Sequence, residues 1–273
     1  MSATTVATAA DSAFDRRIPF GLMRDTFAIV QRNLIAYRRV PQLVVFSTIQ
    51  PVIFVVMFRY VFGGALAASL PPGVPYVDYL MPGIFVQTVV FGAIATAIGL
   101  AADMKSGLME RFHALPMARS AVLSGRTLAD LVRNIFVVAL MMAVGFLVGW
   151  RIHTDMLGLI AGALLVLLFG FSLSWIFATV GLAVGDPETA QAASFPVLAP
   201  LVFASTAFVP AETMPSWLQW FAEHQPVSVT AEAVRRLTLG GPAAADVMAS
   251  LAWSVAIIAV FGTIAVRLYR RAV

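Results

Sequence analysis

The chain has 273 residues, 60% of them hydrophobic and 12% charged, with a mean hydropathy of +0.89 and a formal net charge of +4. So apolar a composition excludes a soluble domain and indicates a polytopic membrane protein with one transmembrane domain. The absence of cysteine excludes disulfides, thiol catalysis and thiolate metal sites, and the basic excess reports membrane orientation rather than a nucleic-acid partner.

Residues 1–20 open with no apolar core behind a basic start, so they do not form a cleavable signal peptide, and a disordered cytoplasmic tail is expected. Residues 21–39 place Met23, Phe27, Val30, Leu34 and Tyr37 on one helical stripe with Asp25, Arg32 and Arg39 opposite, the pattern of an amphipathic helix lying in the membrane interface. The transmembrane permease domain is expected over residues 21–273, comprising this interface helix and six spans.

Six apolar segments between residues 43 and 266 are long enough, or nearly so, to cross a hydrocarbon core of about 30 Å at about 1.5 Å per helical residue. They run from Leu43 to Phe62, Leu80 to Ala102, Ala129 to Trp150, Met156 to Gly185, Thr189 to Ala211 and Val247 to Val266. The fold class is therefore all-α. Asp130 and Arg133 stand near the start of the third span, three residues apart, where a pair neutralises itself near the interface. Pro51, Pro82, Pro196 and Pro200 fall inside spans, where each removes a backbone donor. Arg59, close to the end of the first span, reads as snorkelling to the outer interface, the second reading being a pair with an acidic group inside the bundle. Gln50, Gln87, Thr88, Ser172, Ser174 and Gln191 are candidates for interhelical hydrogen bonds.

Basic residues cluster at Arg16 to Arg39, at Lys105 to Arg126 and at Arg267 to Arg271, which makes these faces, and both termini, cytoplasmic. The first external loop, Gly63 to Tyr79, has none, while Arg151, Arg235 and Arg236 fall on the external side. Within the second loop, Met104 to Leu115 reads as a short helix with Leu108, Phe112 and Leu115 on one face, stopped by Pro116. Its charges keep it out of the bilayer. On the external side, Val209 to Leu237 carries Pro215, Trp217, Leu218, Trp220 and Phe221, aromatics spaced for an amphipathic interface helix ended by Pro226.

Two stretches resemble one known family. Glu110-Arg111-Phe112-His113-Ala114-Leu115-Pro116, Arg119, Leu123, Gly125-Arg126 and Leu128 to Asp130 are similar to the cytoplasmic loop of ABC type 2 exporter permeases, most of all daunorubicin-resistance membrane subunits. Phe208 to Pro210, Met214 to Leu218, Gln225-Pro226 and Ala233 to Leu237 resemble the same family's external hairpin. The resemblance implies that Met104 to Leu115 is a coupling helix docked on a separate ABC ATPase subunit, with Glu110, Arg111, Phe112 and Leu115 in contact. It also implies that Pro215, Trp217, Leu218 and Trp220 belong to a hairpin capping the external end of the pathway, that a second permease copy or homologue pairs with the chain, and that the N-terminal helix connects the membrane subunit to its first span.

No GxxxxGK[ST] phosphate loop, HExxH or GxSxG motif occurs, and the histidines fall in different loops. Enzymatic chemistry, a metal site and a cofactor are therefore not expected in this chain, and ATP hydrolysis belongs to a partner. The leading reading is the membrane subunit of an ATP-driven exporter in the cell membrane, moving a hydrophobic or amphipathic drug or lipid and touching membrane lipids. The alternative is a stand-alone secondary transporter or lipid-modifying enzyme, although a secondary transporter would usually show membrane-embedded acidic residues or paired repeats.

Overall fold

The computed structural model describes residues 26–35, 41–68, 70, 73–108 and 119–271. Residues 1–20, and Glu110, Arg111, Phe112 and Leu115 of the expected coupling helix, lie outside the described residues. Every regular element among the described residues is helical: α1 over residues 26–35, α2 Pro41–Val56, α3 Tyr76–Lys105, α4 Arg119–Val148, α5 Met156–Val184, α6 Pro187–Phe203, α7 Ser216–His224, α8 Pro226–Leu239 and α9 Ala244–Arg271. Beyond Val56, α2 runs into a π-helical segment, Met57–Phe62, and then a last helical stretch, Gly63–Ala67.

The bundle is built around α3. Apolar on all sides, it buries nearly every residue from Tyr76 to Val90, as a helix surrounded by others must. It packs most extensively on α5, and also on α2, α4, α6 and α8, while α9 covers the far side of α5. Glycines set the closest approaches. A Cβ on Gly181 of α5 would lie 2.4 Å from the Ala97 carbonyl of α3, and one on Gly83 would lie 2.0 Å from the Ala207 carbonyl. Backbone contact of this kind is how membrane helices gain packing in the absence of a hydrophobic drive between them.

Among the described residues, five helical stretches are long and apolar enough to cross a membrane: Thr48–Ala67, Tyr76–Lys105, Leu123–Val148, Met156–Val184 and Ala244–Tyr269. The fifth expected span is shorter than the sequence suggested. Thr189 to Ala211 is helical only as far as Phe203, so α6 holds 17 residues, about 26 Å at the usual rise. The helix stops three residues after Pro200, and residues 204–210 continue as turns with the Ser205, Ala207 and Phe208 side chains buried.

The reversal between α5 and α6 is written in consecutive residues. Gly185 ends α5 with φ +72°, a left-handed cap, and the Asp186 carboxylate accepts the Thr189 N–H at 3.0 Å while Pro187 occupies the first helical turn. At the other end of α5, Asp155 accepts the Gly158 N–H at 2.9 Å.

Candidate functional site

Polar chemistry concentrates at three levels of this apolar bundle. At the end where α3 finishes, its last turn is tied to two other elements. Arg32 of α1 pairs with Asp103 at 2.9 Å, and Lys105 pairs with Asp186 in the α5–α6 turn at 2.7 Å. The Lys105 ammonium, followed by the Thr189 N–H and hydroxyl, holds the Asp186 carboxyl down at about 2. Ile29 of α1 sits against Gly125 of α4, where a Cβ would come within 2.6 Å of it. The face of α1 turned to the protein is therefore Ile29 and Asn33, while the expected stripe lies beside it, with Phe27 exposed and Val30 and Leu34 partly so. That flank lines an open groove of 290 Å³.

The second level is a charged cluster between α3 and α4. Asp130 is 1% exposed, accepts the Thr96 hydroxyl at 2.6 Å, and has Arg126 Nε at 3.7 Å and Arg133 Nη1 at 3.8 Å. Each guanidinium also donates to the α3 backbone: Arg133 to the Gly92 carbonyl at 2.6 Å and Arg126 to the Ala95 carbonyl at 3.0 Å. Gly92 and Gly99 provide the room, since a Cβ at either would meet a guanidinium. The pair expected from the sequence is present, with Asp130 and Arg133 3.8 Å apart, and Arg126 joins it. The charges are enclosed between helices, and Gly92 stands near the middle of α3. They fold there because the missing glycine side chains open a seat and the α3 carbonyls serve as acceptors.

The third level is the end of the bundle where α7 and α8 sit. Pro215 precedes α7 as its N-cap, Trp217 and Trp220 project from it at 75% and 67% exposure, and Leu218 is half-buried. The Trp220 ring stacks on His224 at 5.1 Å. The following helix, α8, is not a surface loop. Most of it is buried, against α3, α5 and α9.

Arg235, expected on the external side of the membrane, is 4% exposed. Its Nε donates to the Tyr79 carbonyl at 2.9 Å, Nη2 donates to the Thr206 and Ala207 carbonyls, and Nη1 pairs with Glu232 at 3.1 Å. The Tyr79 ring centroid lies 3.7 Å from its Cζ. The non-helical segment 204–210 thereby finds its partners. Tyr79 donates to the Thr206 carbonyl and Tyr76 to the Phe208 carbonyl, each at 3.0 Å, the Thr206 N–H donates to Ser228 Oγ at 3.0 Å, and Gln225 Nε2 donates to the Leu201 and Ala204 carbonyls. Phe208 stacks on Phe58 of the π-helical segment, with centroids 4.4 Å apart. Beside this, Asp78 accepts the Arg151 N–H and meets His153 Nε2, both at 2.9 Å.

Of the residues proposed as interhelical glue, Thr88, Ser172 and Ser174 instead donate to carbonyls of their own helices. Bonds between elements come from Thr96, Thr230, Gln225 and the arginines. Arg59 is half-buried with its guanidinium 5.7 Å from the Tyr60 ring. Sequence spacing missed Arg235 because its acceptors lie 28, 29 and 156 residues away. Among the described residues, no three of His, Asp or Glu come together as a metal site would require.

Comparison with known proteins agrees with an integral-membrane transport subunit. Residues 24–239 match the family described as ABC-2 type transporter. The chain is 37% identical to the daunorubicin resistance ABC transporter permease protein DrrB1 of Streptomyces coeruleorubidus, over 90% of this chain and 86% of that one. It is 27% identical to the probable doxorubicin resistance ABC transporter permease protein DrrC of Mycobacterium tuberculosis, over 84% and 82%. It is 25% identical to the putative transport permease ycf38 of Cyanophora paradoxa, over 80% and 75%.

Proposed function

Because the chain belongs to the ABC-2 type transporter family, we propose that its cargo is hydrophobic or amphipathic, a drug or a lipid, carried out of the cell along a path shared with a second permease copy or a homologue. The chain is the membrane-spanning subunit of an ATP-driven exporter and not an enzyme, and its energy comes from a separate ABC ATPase subunit. The observation that carries the cargo reading is the likeness to relatives named for daunorubicin and doxorubicin resistance.

In this reading the Lys105 end of the bundle faces the cytoplasm with both termini, as the basic loops argue. Met104 to Leu115 docks on the ATPase through Glu110, Arg111, Phe112 and Leu115. The ties of Asp103 to α1 and of Lys105 to the α5–α6 turn give ATPase-driven motion two routes into the bundle. The hairpin holding Pro215, Trp217, Leu218 and Trp220 caps the external end, with its tryptophans among membrane lipids.

The test is export from vesicles holding both subunits, challenged with a panel of anthracyclines, lipids and polar solutes, alongside reporters fused after Val273 and within residues 217–225. ATP-dependent movement of apolar members only, with an internal C-terminus and an external hairpin, is the expected result. Movement confined to polar solutes contradicts the cargo, and an external C-terminus contradicts the orientation.

A further inference from the structure

We propose that Arg235 is the positioning residue of the hairpin end: its guanidinium latches the non-helical segment 204–210 to α3 and α8, and release of that latch opens the pathway there. The inference rests on the reading of α7 and α8 as the cap of the external end.

Where α6 unwinds, the carbonyls of Thr206, Ala207 and Phe208 fall outside any helical ladder, yet the Ala207 and Phe208 side chains are buried. Irregular backbone persists in a membrane protein only where protein groups supply its hydrogen bonds. Arg235 supplies two of these carbonyls from a single Nη2 and fixes its own Nε on the Tyr79 carbonyl. The Tyr79 ring lies against one face of the guanidinium, and Glu232 balances its charge. A planar fork of donors pre-set in this way engages three carbonyls from two elements at once.

The same segment touches the moving parts that an exit needs. Ala207 lies against the Gly83 backbone so closely that no Cβ fits between them. Phe208 stacks on Phe58, inside a π-helical segment of the kind often found at functional sites, and lies 5.9 Å from Phe54. Displacement of residues 204–210 would thus separate α6 from α3 and disturb α2 together. Because so many of these contacts pass through one side chain, the closed arrangement depends on Arg235 more than on any of the carbonyls it holds. Tyr76 and Tyr79 donate one bond each.

The absence of cysteine from the chain makes the test direct. Thr206 enters the network through its backbone, so Thr206→Cys reports the segment's exposure to a membrane-impermeant maleimide. The permease–ATPase complex is labelled in right-side-out vesicles loaded with ADP or with ATP. With Arg235 intact, labelling is expected to be slow with ADP and faster with ATP. In the R235M background it should be fast with either nucleotide, about fivefold or more above the ADP rate of the parent. R235K should fall between, since an ammonium still donates but has no fork.

A control at Ala178→Cys, buried in α5 away from the hairpin, should stay unlabelled in both backgrounds. Labelling there as well would mean general loosening and would overturn a local latch. A parent-like ADP rate with a preserved nucleotide response in R235M also overturns it. If R235M fails to reach the membrane, Tyr79→Phe removes one donor from the Thr206 carbonyl and keeps the ring. An intermediate rate is then expected, and a parent-like rate refutes the proposal. Labelling of Thr206→Cys only from the vesicle lumen, in every nucleotide state, instead overturns the external placement of the hairpin.

Discussion

Asp130→Asn isolates the worth of the charged cluster between α3 and α4, because it keeps the side-chain shape and an oxygen for the Thr96 hydroxyl while removing the negative charge. Two guanidinium nitrogens stand 3.7 and 3.8 Å from the carboxylate, and a pair at that separation attracts by roughly 4 kcal/mol at an effective dielectric of about 20. The desolvation of all three groups offsets much of that gross attraction. The variant is left with two enclosed guanidiniums that retain their bonds to the Gly92 and Ala95 carbonyls, so the net cost falls at the lower end of a broken buried pair, about 3 kcal/mol. Thr96→Val, which removes only the 2.6 Å hydroxyl bond, should cost about 0.6 to 1.7 kcal/mol, the range for interhelical bonds in membranes. For a chain of this size about 3 kcal/mol corresponds to a fall of roughly 6 to 12 °C in Tm. The assay is heating of the purified permease–ATPase complex in detergent, followed by gel filtration of the monodisperse fraction. A loss for Asp130→Asn no greater than for Thr96→Val would refute the account of the cluster.

Lys105→Glu should weaken the tie between α3 and the α5–α6 turn and reduce transport more than membrane level, while Lys105→Arg, which keeps the charge and leaves the Asp186 cap of α6 untouched, should transport like the parent; parent-like transport by Lys105→Glu would remove the tie from the transmission route. The folded Asp186 carboxyl lies near 2, below its unfolded range, so its contribution is present above about pH 4 and is lost only as pH falls through about 2. The tie should therefore hold unchanged between about pH 5 and 8. Phe112→Ala should lower co-purification of the ATPase by about 2 kcal/mol or more of docking energy if Phe112 is a central anchor, without loss of insertion. Wild-type co-purification and transport would move the coupling role elsewhere, first to the Asp186 to Thr189 turn.

What was legible in the sequence was whatever depends on neighbouring residues. The reversal between the Met156 to Gly185 and Thr189 segments and the apolar runs of α3, α4, α5 and α9 are all local, and they emerged where composition placed them. The end of α6 was misjudged because Ala204 to Pro210 continues its apolar run, and partners distant in sequence, Arg235, Tyr76, Tyr79, Gln225 and Ser228, make it stable unwound. Arg235 and Arg236 look alike on paper. In the fold the first is enclosed, and the second stays partly exposed between Glu232 and Asp246. The pairing of Asp130 with Arg133 was legible from their three-residue spacing, whereas the α3 carbonyls and glycines that seat them are distant in sequence. The hairpin aromatics were legible as exposed, since Trp217 and Trp220 stand three residues apart on a short helix.

The central claim is that this chain carries cargo with energy taken from ATP hydrolysed on another subunit. Its most direct test is ATP-driven efflux of a fluorescent anthracycline from proteoliposomes containing the chain alone, the ABC ATPase alone, or both. The account predicts no hydrolysis by the chain alone, and efflux only when both subunits and ATP are present. ATP hydrolysis by the purified chain free of ATPase, or efflux by the chain alone driven by an ion gradient, would contradict it.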